Sequence, residues 1–268
     1  MRRIGVAAAL LFLTACSGGE DAPVAPVAPA KAPGASSTEA PLAANRYAAF
    51  DKLLKTYVNA DGMVDYAGWK KTDEAALRGV VKALASVDAS ALKGNEKKAY
   101  WINAYNAVTL QAMLEFHPVK SILKVTKGGK PYDVFKKYPF GPKRVTLDHM
   151  EHKILRKVGD PRIHAAIVCA SKGCPPLHNR AYLPRTLDAQ LDANVKTWFK
   201  SPTRGLKLSG DTAHVSEIFN WFGVDFGKTK QAHLDWIAKY VDAKTAKKLK
   251  SGDLSVKYIK WDWSANKQ

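Results

Sequence analysis

Residues 95–118, NEKKAYWINAYNAVTLQAMLEFHP, form the long helical pattern on which the fold prediction depends. Asn95 can cap its N-terminus, and Pro118 ends it because proline has no backbone N–H to continue the hydrogen-bond ladder. Between these ends, apolar residues recur at the spacing of one helix face. They are Trp101, Ala104, Tyr105, Val108 and Ala112. The stretch therefore predicts one long helix.

Further helices and a few short strands are predicted around this helix. Helical spacing indicates helices over 46–58, 73–84, 147–158, 186–199, 228–241 and 243–250. Strands are predicted over 163–168 and 255–261, in a hairpin around Gly210 and Asp211, and after the turn at Asp61 and Gly62. The strands do not alternate regularly with the helices. We therefore predict an α+β fold, a predominantly helical single domain with a few short strands.

The N-terminal residues, MRRIGVAAALLFLTAC, have the pattern of a secretory signal. Two arginines precede an apolar run that is too short to span a bilayer, and small residues follow it. The ending Leu13-Thr14-Ala15-Cys16 is similar to a bacterial lipobox, in which a peptidase cuts before the cysteine. We expect residues 1–15 to be a lipoprotein signal peptide and Cys16 to carry the lipid that anchors the protein to a membrane. An aspartate directly after the lipidated cysteine is typical of lipoproteins retained in the inner membrane, and this chain has Ser17 at that position. We therefore expect an outer-membrane lipoprotein that faces the periplasm.

Composition divides the rest of the chain into two parts. Residues 16–44 are rich in proline, alanine, glycine and serine and have no aromatic residue. Such a segment cannot bury enough surface to fold, so we expect a disordered tether. Residues 45–268 carry all but one of the aromatic residues and are long enough for one large globular domain.

The chain is strongly basic, with a formal net charge of +18 at pH 7. A basic protein attracts anionic partners through its summed field. We expect contact with the membrane through the lipid and with an anionic envelope polymer or a peptide. Nucleic acid is not expected, because the chain carries an export signal and its lysines are dispersed. The sequence has no glycine-rich phosphate loop and no His-Glu-x-x-His motif, and we predict no cofactor and no metal.

Polar residues stand in two helices where propensity does not favour them. Asn103 and Asn106 lie in the middle of the long helix, three residues apart. They either bond to adjoining loops or line a cleft and orient a ligand. Glu151 lies on the apolar face of the helix predicted over 147–158, where a carboxylate needs a partner. Arg156 and His164 are the candidate partners, and a general-base role is the alternative. Arg156 is also predicted to be a binding residue of the cleft.

Several of these residues belong to motifs that resemble a known family, the domain of unknown function 547. The matching stretches are AYWINAYNA (99–107), LDHMEH (147–152) with Leu155-Arg156, RIH (162–164), CAS (169–171), CPPL (174–177), FNWF (219–222) with Asp225-Phe226, and WDWSAN (261–266). The likeness is dense over 99–226, the expected core of the domain. It implies that Asn103, Asn106, Glu151, His164, Cys169 and Cys174 belong to the family pattern. It implies no activity, and His178 and His214 lie outside the pattern.

The stretch RIHAAIVCASKGCPPLH, residues 162–178, contains two of the three cysteines. In an oxidising compartment Cys169 and Cys174 are expected to pair as a disulfide, since Gly173 lets the loop bend. Alternatively, Cys169 is a nucleophile, His164 its base and Glu151 the acid that orients the imidazole. An odd separation of five on a strand puts Cys169 and His164 on opposite faces, so this alternative requires Cys169 to lie beyond the strand.

A zinc site is the third alternative for this stretch. His164, Cys169, Cys174 and His178 could form a tetrahedral set, although none has tight Cys-x₂-Cys spacing. Taken together, the sequence predicts a membrane-tethered lipoprotein with a polar cleft that binds an envelope ligand, such as a peptidoglycan fragment or a peptide. The alternative is a thiol-dependent hydrolase or acyltransferase that acts on peptide or acyl bonds.

Overall fold

The long helix predicted around Asn103 is present as α4 (Gly94–Glu115) and lies at the centre of the fold. In this computed structural model, which describes the backbone of residues 39–268 and the side chains from Arg46 onwards, nearly every residue between Lys98 and Leu114 is buried. Helices and helical turns pack against several sides of α4. A helix that is apolar on most of its faces is buried in this way at the centre of a domain.

Three helices precede α4 and pack with it. They are α1 (Glu39–Tyr57), α2 (Tyr66–Thr72) and α3 (Glu74–Ala85). The helix predicted to begin at residue 46 begins at Glu39, so 39–44 of the expected tether are helical. Residues 1–38, which contain the predicted signal peptide, Cys16 and the rest of that tether, lie outside the described residues. The strand predicted after Gly62 is reduced to isolated bridges of Val64, which pairs with Val58 and with Lys267. Helix α2 follows at once, and the Asp65 carboxylate caps it by accepting from the Gly68 N–H at 2.9 Å.

After α4 come a small hairpin and a helical segment of mixed geometry. The elements are β1 (Thr126–Lys127), β2 (Lys130–Pro131), α5 (Val134–Lys137) and α6 (Leu147–His149). The helix predicted over 147–158 continues from α6 as a π-helix (Met150–Leu155) and a 3₁₀ turn (Arg156–Val158). A π-helix places one additional residue in a turn, and such insertions occur frequently at functional sites.

The strand predicted over 163–168 is wrong. Residues Ile163–Ala166 form a short helix, α7, and the chain becomes extended only at Ile167. Every side chain from Ile163 to Val168 is buried. A fully buried apolar run has no exposed face, so its periodicity does not distinguish a strand from a helical turn.

The C-terminal part combines helices with one three-stranded sheet. Its elements are α8 (Leu187–Lys200), β3 (Leu206–Ser209), β4 (Thr212–Ser216), α9 (Ile218–Trp221), α10 (Gly223–Phe226), α11 (Lys230–Ile237), α12 (Ala243–Leu249) and β5 (Ser255–Ile259). The predicted hairpin is confirmed, with Ser209 opposite Thr212, and β5 pairs in parallel with β4. The fold is thus α+β and predominantly helical, as predicted.

The hydrophobic core has two parts, one around α4 and one between α8, the sheet and α11. Trp261, in the C-terminal tail that follows β5 (260–268), packs against both parts. The described residues lie in one compact unit. None of the helices from 39 to 268 is long and apolar enough to cross a membrane.

Candidate functional site

A cavity of about 570 Å³ lies between the π-helix, the segment after α7, α9 and the C-terminal tail. Four of the residues predicted from sequence line it, namely Glu151, His164, Cys169 and Cys174. Most of the remaining wall is apolar. Its aromatic residues are Tyr105, Tyr132, Phe135, Trp221, Phe222, Trp261 and Trp263. A mainly apolar cavity with a few convergent polar groups has the composition of a ligand site.

Asp225, on α10, joins His164 to Arg156. The Nε2 atom of His164 lies 2.8 Å from Asp225 Oδ2, and Arg156 donates to both carboxylate oxygens at 2.6 and 2.8 Å. Burial by itself would raise the pKa of Asp225, but the hydrogen bonds from His164 and Arg156 hold that pKa well below its ordinary value. Arg156 also stands over the ring of Phe222, with Cζ 5.0 Å from its centroid. Arg156, predicted as a binding residue, therefore holds Asp225.

The pairing with Asp225 determines which nitrogen of His164 is free. An ionised carboxylate only accepts hydrogen bonds, so Nε2 carries the hydrogen. Among the described residues, Nδ1 has no hydrogen-bond partner. The ring is stacked on Phe222, with centroids 4.7 Å apart, which fixes its plane. His164 thus has one anchored nitrogen and one nitrogen that can accept a proton or a hydrogen bond.

Glu151 has a different partner from those predicted. Tyr105, on α4, donates its hydroxyl to Glu151 Oε2 at 3.2 Å, whereas both candidate partners, Arg156 and His164, bind Asp225. The predicted pairing and the predicted role of Glu151 in orienting His164 are therefore wrong in this geometry. Glu151 lies on the π-helix and is half-buried at the cavity wall.

The two cysteines face each other across the hydroxyl of Ser171. The backbone N–H of Cys169 donates to Cys174 Sγ at 3.1 Å, and Ser171 Oγ lies 3.1 Å from Cys169 Sγ and 3.5 Å from Cys174 Sγ. Trp261 donates its indole N–H to Ser171 Oγ at 3.0 Å. Both cysteines are free in the structure, so the predicted disulfide is not formed there.

These contacts make the two thiols unequal. Burial is the main reason that the pKa of Cys169 is well above its ordinary value, and its contact with Cys174 adds to the rise. Burial also opposes ionisation of Cys174, but hydrogen bonds from Cys169 and Ser171 outweigh it and lower that pKa. These surroundings favour the thiolate form more at Cys174 than at Cys169.

The cysteine loop is tightly constrained by the C-terminal tail. Ala170 has φ of 57°, the left-handed region that few non-glycine residues adopt, and its carbonyl accepts from the Asn266 N–H at 3.0 Å. A Cβ on Gly173 would lie 2.7 Å from the Trp261 ring, so only glycine fits there. Backbone strain of this kind recurs at functional sites, where the surrounding structure holds the loop in one conformation.

His164 and Cys169 line the same cavity although the sequence separates them by five residues. Because α7 ends at Ala166 and the chain then turns, the opposite-face constraint of a strand does not apply. No hydrogen bond joins His164 to either sulfur among the residues that the structure describes. The cavity therefore brings the thiols and the imidazole to one space without a hydrogen bond between them.

The asparagines of α4 hold backbone segments and do not line the cavity. Asn103 donates to Tyr182 O at 2.7 Å and accepts from the Tyr182 N–H at 2.9 Å. Asn106 donates to Ala166 O at 2.8 Å and accepts from the Val168 N–H at 3.1 Å. The interpretation that they bond adjoining loops is confirmed. Asn106 thereby fixes the extended segment that leads into Cys169.

The zinc alternative has no support in the described part of the chain. No group of three or more His, Cys, Asp or Glu side chains within 46–268 is arranged to hold a metal ion. His178 bonds to the Arg180 carbonyl through Nδ1 at 3.0 Å and does not line the cavity.

Sequence reasoning missed Asp225 and the three indoles of Trp221, Trp261 and Trp263. All four lie in stretches that resemble the family. Those motifs marked the residues as part of the family pattern, but nothing in the sequence assigned them a role in a site. The indoles pack together, with centroid separations of 4.8, 5.9 and 5.7 Å. Trp221 is 44% exposed and Trp263 36% exposed, which is unusual for clustered tryptophans.

Comparison with known proteins gives one match. Residues 89–199 match the family model described as Protein of unknown function, DUF547. The matched segment contains α4, the π-helix, α7 and both cysteines, and it ends before Asp225 and the tail. No curated protein and no solved structure matches the chain.

Proposed function

We propose that the chain is an exported lipoprotein of the cell envelope whose aromatic cavity binds an envelope glycan or glycopeptide. The cluster of Trp221, Trp261 and Trp263 carries this proposal, because it presents exposed indole faces on the wall of a cavity. The apolar C–H face of a sugar ring packs on an indole, and hydroxyl groups require polar neighbours such as Glu151.

Charged side chains of both signs line the cavity, because Asp133, Asp148 and Glu151 lie on its wall together with two lysines. Lys136 and Lys137, on α5, line the cavity and are exposed. Peptide stems attached to envelope glycans carry carboxylates, which such lysines attract. The thiols support binding better than catalysis by Cys169, because its raised pKa keeps it protonated and no hydrogen bond links it to His164.

Binding is tested with soluble peptidoglycan fragments titrated calorimetrically into the full chain. Trp221→Ala and Trp263→Ala should each weaken binding at least tenfold, because they remove the stacking faces. Val224→Ala is the matched control, since Val224 is 79% exposed and lies outside the cavity wall. Equal affinity of the tryptophan variants and the parent would contradict the proposal, as would the absence of any binding.

Membrane anchoring through Cys16 is part of the same proposal. It is supported by the lipobox-like residues 13–16 and by the proline-rich segment that follows them. Cys16→Ala should release the protein from membranes into the soluble fraction or stall its processing. If the variant is cleaved normally and still fractionates with membranes, anchoring through this cysteine is wrong. An outer-membrane location facing the periplasm is tested by separating the two membranes on a density gradient.

A second candidate, a thiol-dependent hydrolase or acyltransferase, is favoured by the environment of Cys174. Its sulfur accepts the Cys169 N–H, and its pKa is lowered. In that case Cys174 rather than Cys169 would be the nucleophile. His164 would accept the proton through Nδ1, and Asp225 would orient the ring.

Thiol labelling separates this candidate from a disulfide. Both cysteines are free in the structure, but if the pair is oxidised in the periplasm as the sequence predicts, protein from that compartment should alkylate only after reduction. In the enzyme candidate, one thiol alkylates rapidly near pH 7 without reductant. Cys174→Ser should abolish that fast phase and Cys169→Ser should retain it.

A further inference from the structure

A second cavity, of about 720 Å³, lies on the opposite side of the π-helix from the first. Glu151 and His152 line the first cavity, whereas Lys153 and Ile154 line the second. The loop after α3, the first turns of α4 and the loop after α5 complete the second cavity. Its volume is within the range of small-molecule sites.

The floor of the second cavity is apolar. Trp101 and Phe140 are buried there, in edge-to-face contact with ring centroids 6.4 Å apart. Val158 lines the same cavity and is 44% exposed, although its side chain is apolar. An apolar surface that remains accessible in this way favours a ligand with a hydrocarbon part.

The rim of the second cavity is basic. Lys97, Lys143, Lys153 and Lys157 line it, and none of the four forms a salt bridge within the described residues. Asp88 is the carboxylate on this wall, and its side chain accepts hydrogen bonds from Ser90. Several unpaired ammonium groups around one concavity produce a positive potential that attracts an anion.

From these observations we infer that the second cavity binds an amphipathic anion, an acyl or alkyl chain that ends in a phosphate or a carboxylate. The chain packs on Trp101, Phe140 and Val158, and the head group contacts the lysines of the rim. This inference does not rest on the function proposed for the first cavity. The ligand is either a soluble single-chain amphiphile or an anionic lipid within a bilayer, which share this chemistry.

The test uses the full chain with Cys16→Ala, so that no attached lipid competes for the cavity. Octyl phosphate is titrated below its micelle concentration, and octyl glucoside and inorganic phosphate are titrated in parallel. Octyl phosphate should bind at least tenfold more tightly than either control, because only it has both the chain and the charge. Equal binding of octyl glucoside would overturn the inference, and so would equal binding of phosphate alone.

Charge-reversal variants locate the site. Lys153→Glu combined with Lys157→Glu should reduce the affinity for octyl phosphate at least tenfold. Lys247→Glu combined with Lys248→Glu makes the same change in net charge on α12, away from this cavity, and should change the affinity less than twofold. Equal losses in both double variants would show that only the overall field acts and would overturn the inference. Circular dichroism of each variant checks the fold.

Vesicles distinguish the two sources of the ligand. If the Lys153/Lys157 variant also loses binding to vesicles that contain phosphatidylglycerol, the site takes a lipid from the bilayer. If vesicle binding is unchanged while octyl phosphate binding is lost, the site takes a soluble amphiphile. Both results support the inference, because the octyl phosphate result has already located the site.

Discussion

Two carboxylates beside α7 have similar ion pairs and different surroundings. Asp160 accepts from Lys98 at 2.7 Å and from Arg162 at 2.8 and 2.9 Å. Asp225 accepts from Arg156 at 2.6 and 2.8 Å and from His164 at 2.8 Å. Each carboxylate thus joins a bidentate arginine to a second nitrogen base.

The difference lies in the second partner. The second partner of Asp160 is the ammonium group of Lys98, and Arg162 also contacts Asp188 and Asp192, so the Asp160 cluster is a closed ion network. The second partner of Asp225 is the ring of His164, which lines the first cavity. The same pairing chemistry therefore fixes the start of α7 at one point and leaves a nitrogen available to a ligand at the other.

The largest effect that separates the two clusters is expected for Asp160→Ala. Removal of the Asp160 carboxylate leaves the largely buried Lys98 without a counter-charge. The free energy of unfolding should therefore fall by about 3 kcal/mol. Urea denaturation measures the loss. Asp188→Ala, at a side chain that is 60% exposed, should change stability by less than about 0.5 kcal/mol. A similar loss in both variants would mean that the network, and not the burial of Lys98, determines the cost.

Acid should destabilise the protein through both carboxylates. Burial by itself would raise the pKa of Asp160, but the hydrogen bonds from Arg162 and Lys98 outweigh it and lower that pKa to about 2. The pKa of Asp225 is also lowered. A depressed pKa contributes stability above the unfolded value of about 3.9, and this stability is lost as the pH falls through the folded value. The Asp160 contribution should amount to about 2 kcal/mol, lost between about pH 4 and pH 2.

Urea denaturation at pH 6, 3 and 2 tests this pH dependence. The parent should lose stability as the pH falls, and Asp160→Asn should lose less because its side chain has no proton to take up. Parallel pH profiles for the two proteins would contradict the assignment to Asp160.

Asp225→Asn should have a smaller effect on stability and a larger one on the cavity. The amide keeps the shape of the side chain but has no charged oxygens to accept from both Arg156 and His164. The free energy of unfolding should therefore fall by about 1–2 kcal/mol. The loss stays in this range because the cluster is partly solvated. The imidazole should then change its tautomer or orientation, which histidine nitrogen NMR detects. Asp148→Asn, also on the cavity wall, is the control and should leave the His164 signals unchanged.

Glu151→Gln should have the smallest effect. The amide oxygen can still accept the Tyr105 hydroxyl, so we expect a loss of about 0.5 kcal/mol, measured by urea denaturation. Glu151→Ala should cost somewhat more, because the buried Tyr105 hydroxyl then lacks its partner. A loss of several kcal/mol for Glu151→Gln would mean that Glu151 also has a charged partner.

Much of the helical fold could be predicted from local patterns. The helix around Asn103, the hairpin at Gly210 and the fold class depend on spacing and turn residues that are visible in the chain. The strand predicted over 163–168 failed because burial on every side removes the periodicity. The π-helix could not be predicted either, because the same residue types are compatible with an α-helix and no local pattern reveals the additional residue per turn.

The sequence by itself determined which side chains could form a site, because Glu151, His164, Cys169 and Cys174 were identified from type and motif. The pairing of those side chains was decided only by the tertiary structure. Asp225 lies 61 residues after His164, and Trp261 lies 90 residues after Ser171, yet each pair is hydrogen-bonded. Contacts of this kind depend on how buried helices and the C-terminal tail pack, and local propensity contains no information about that packing.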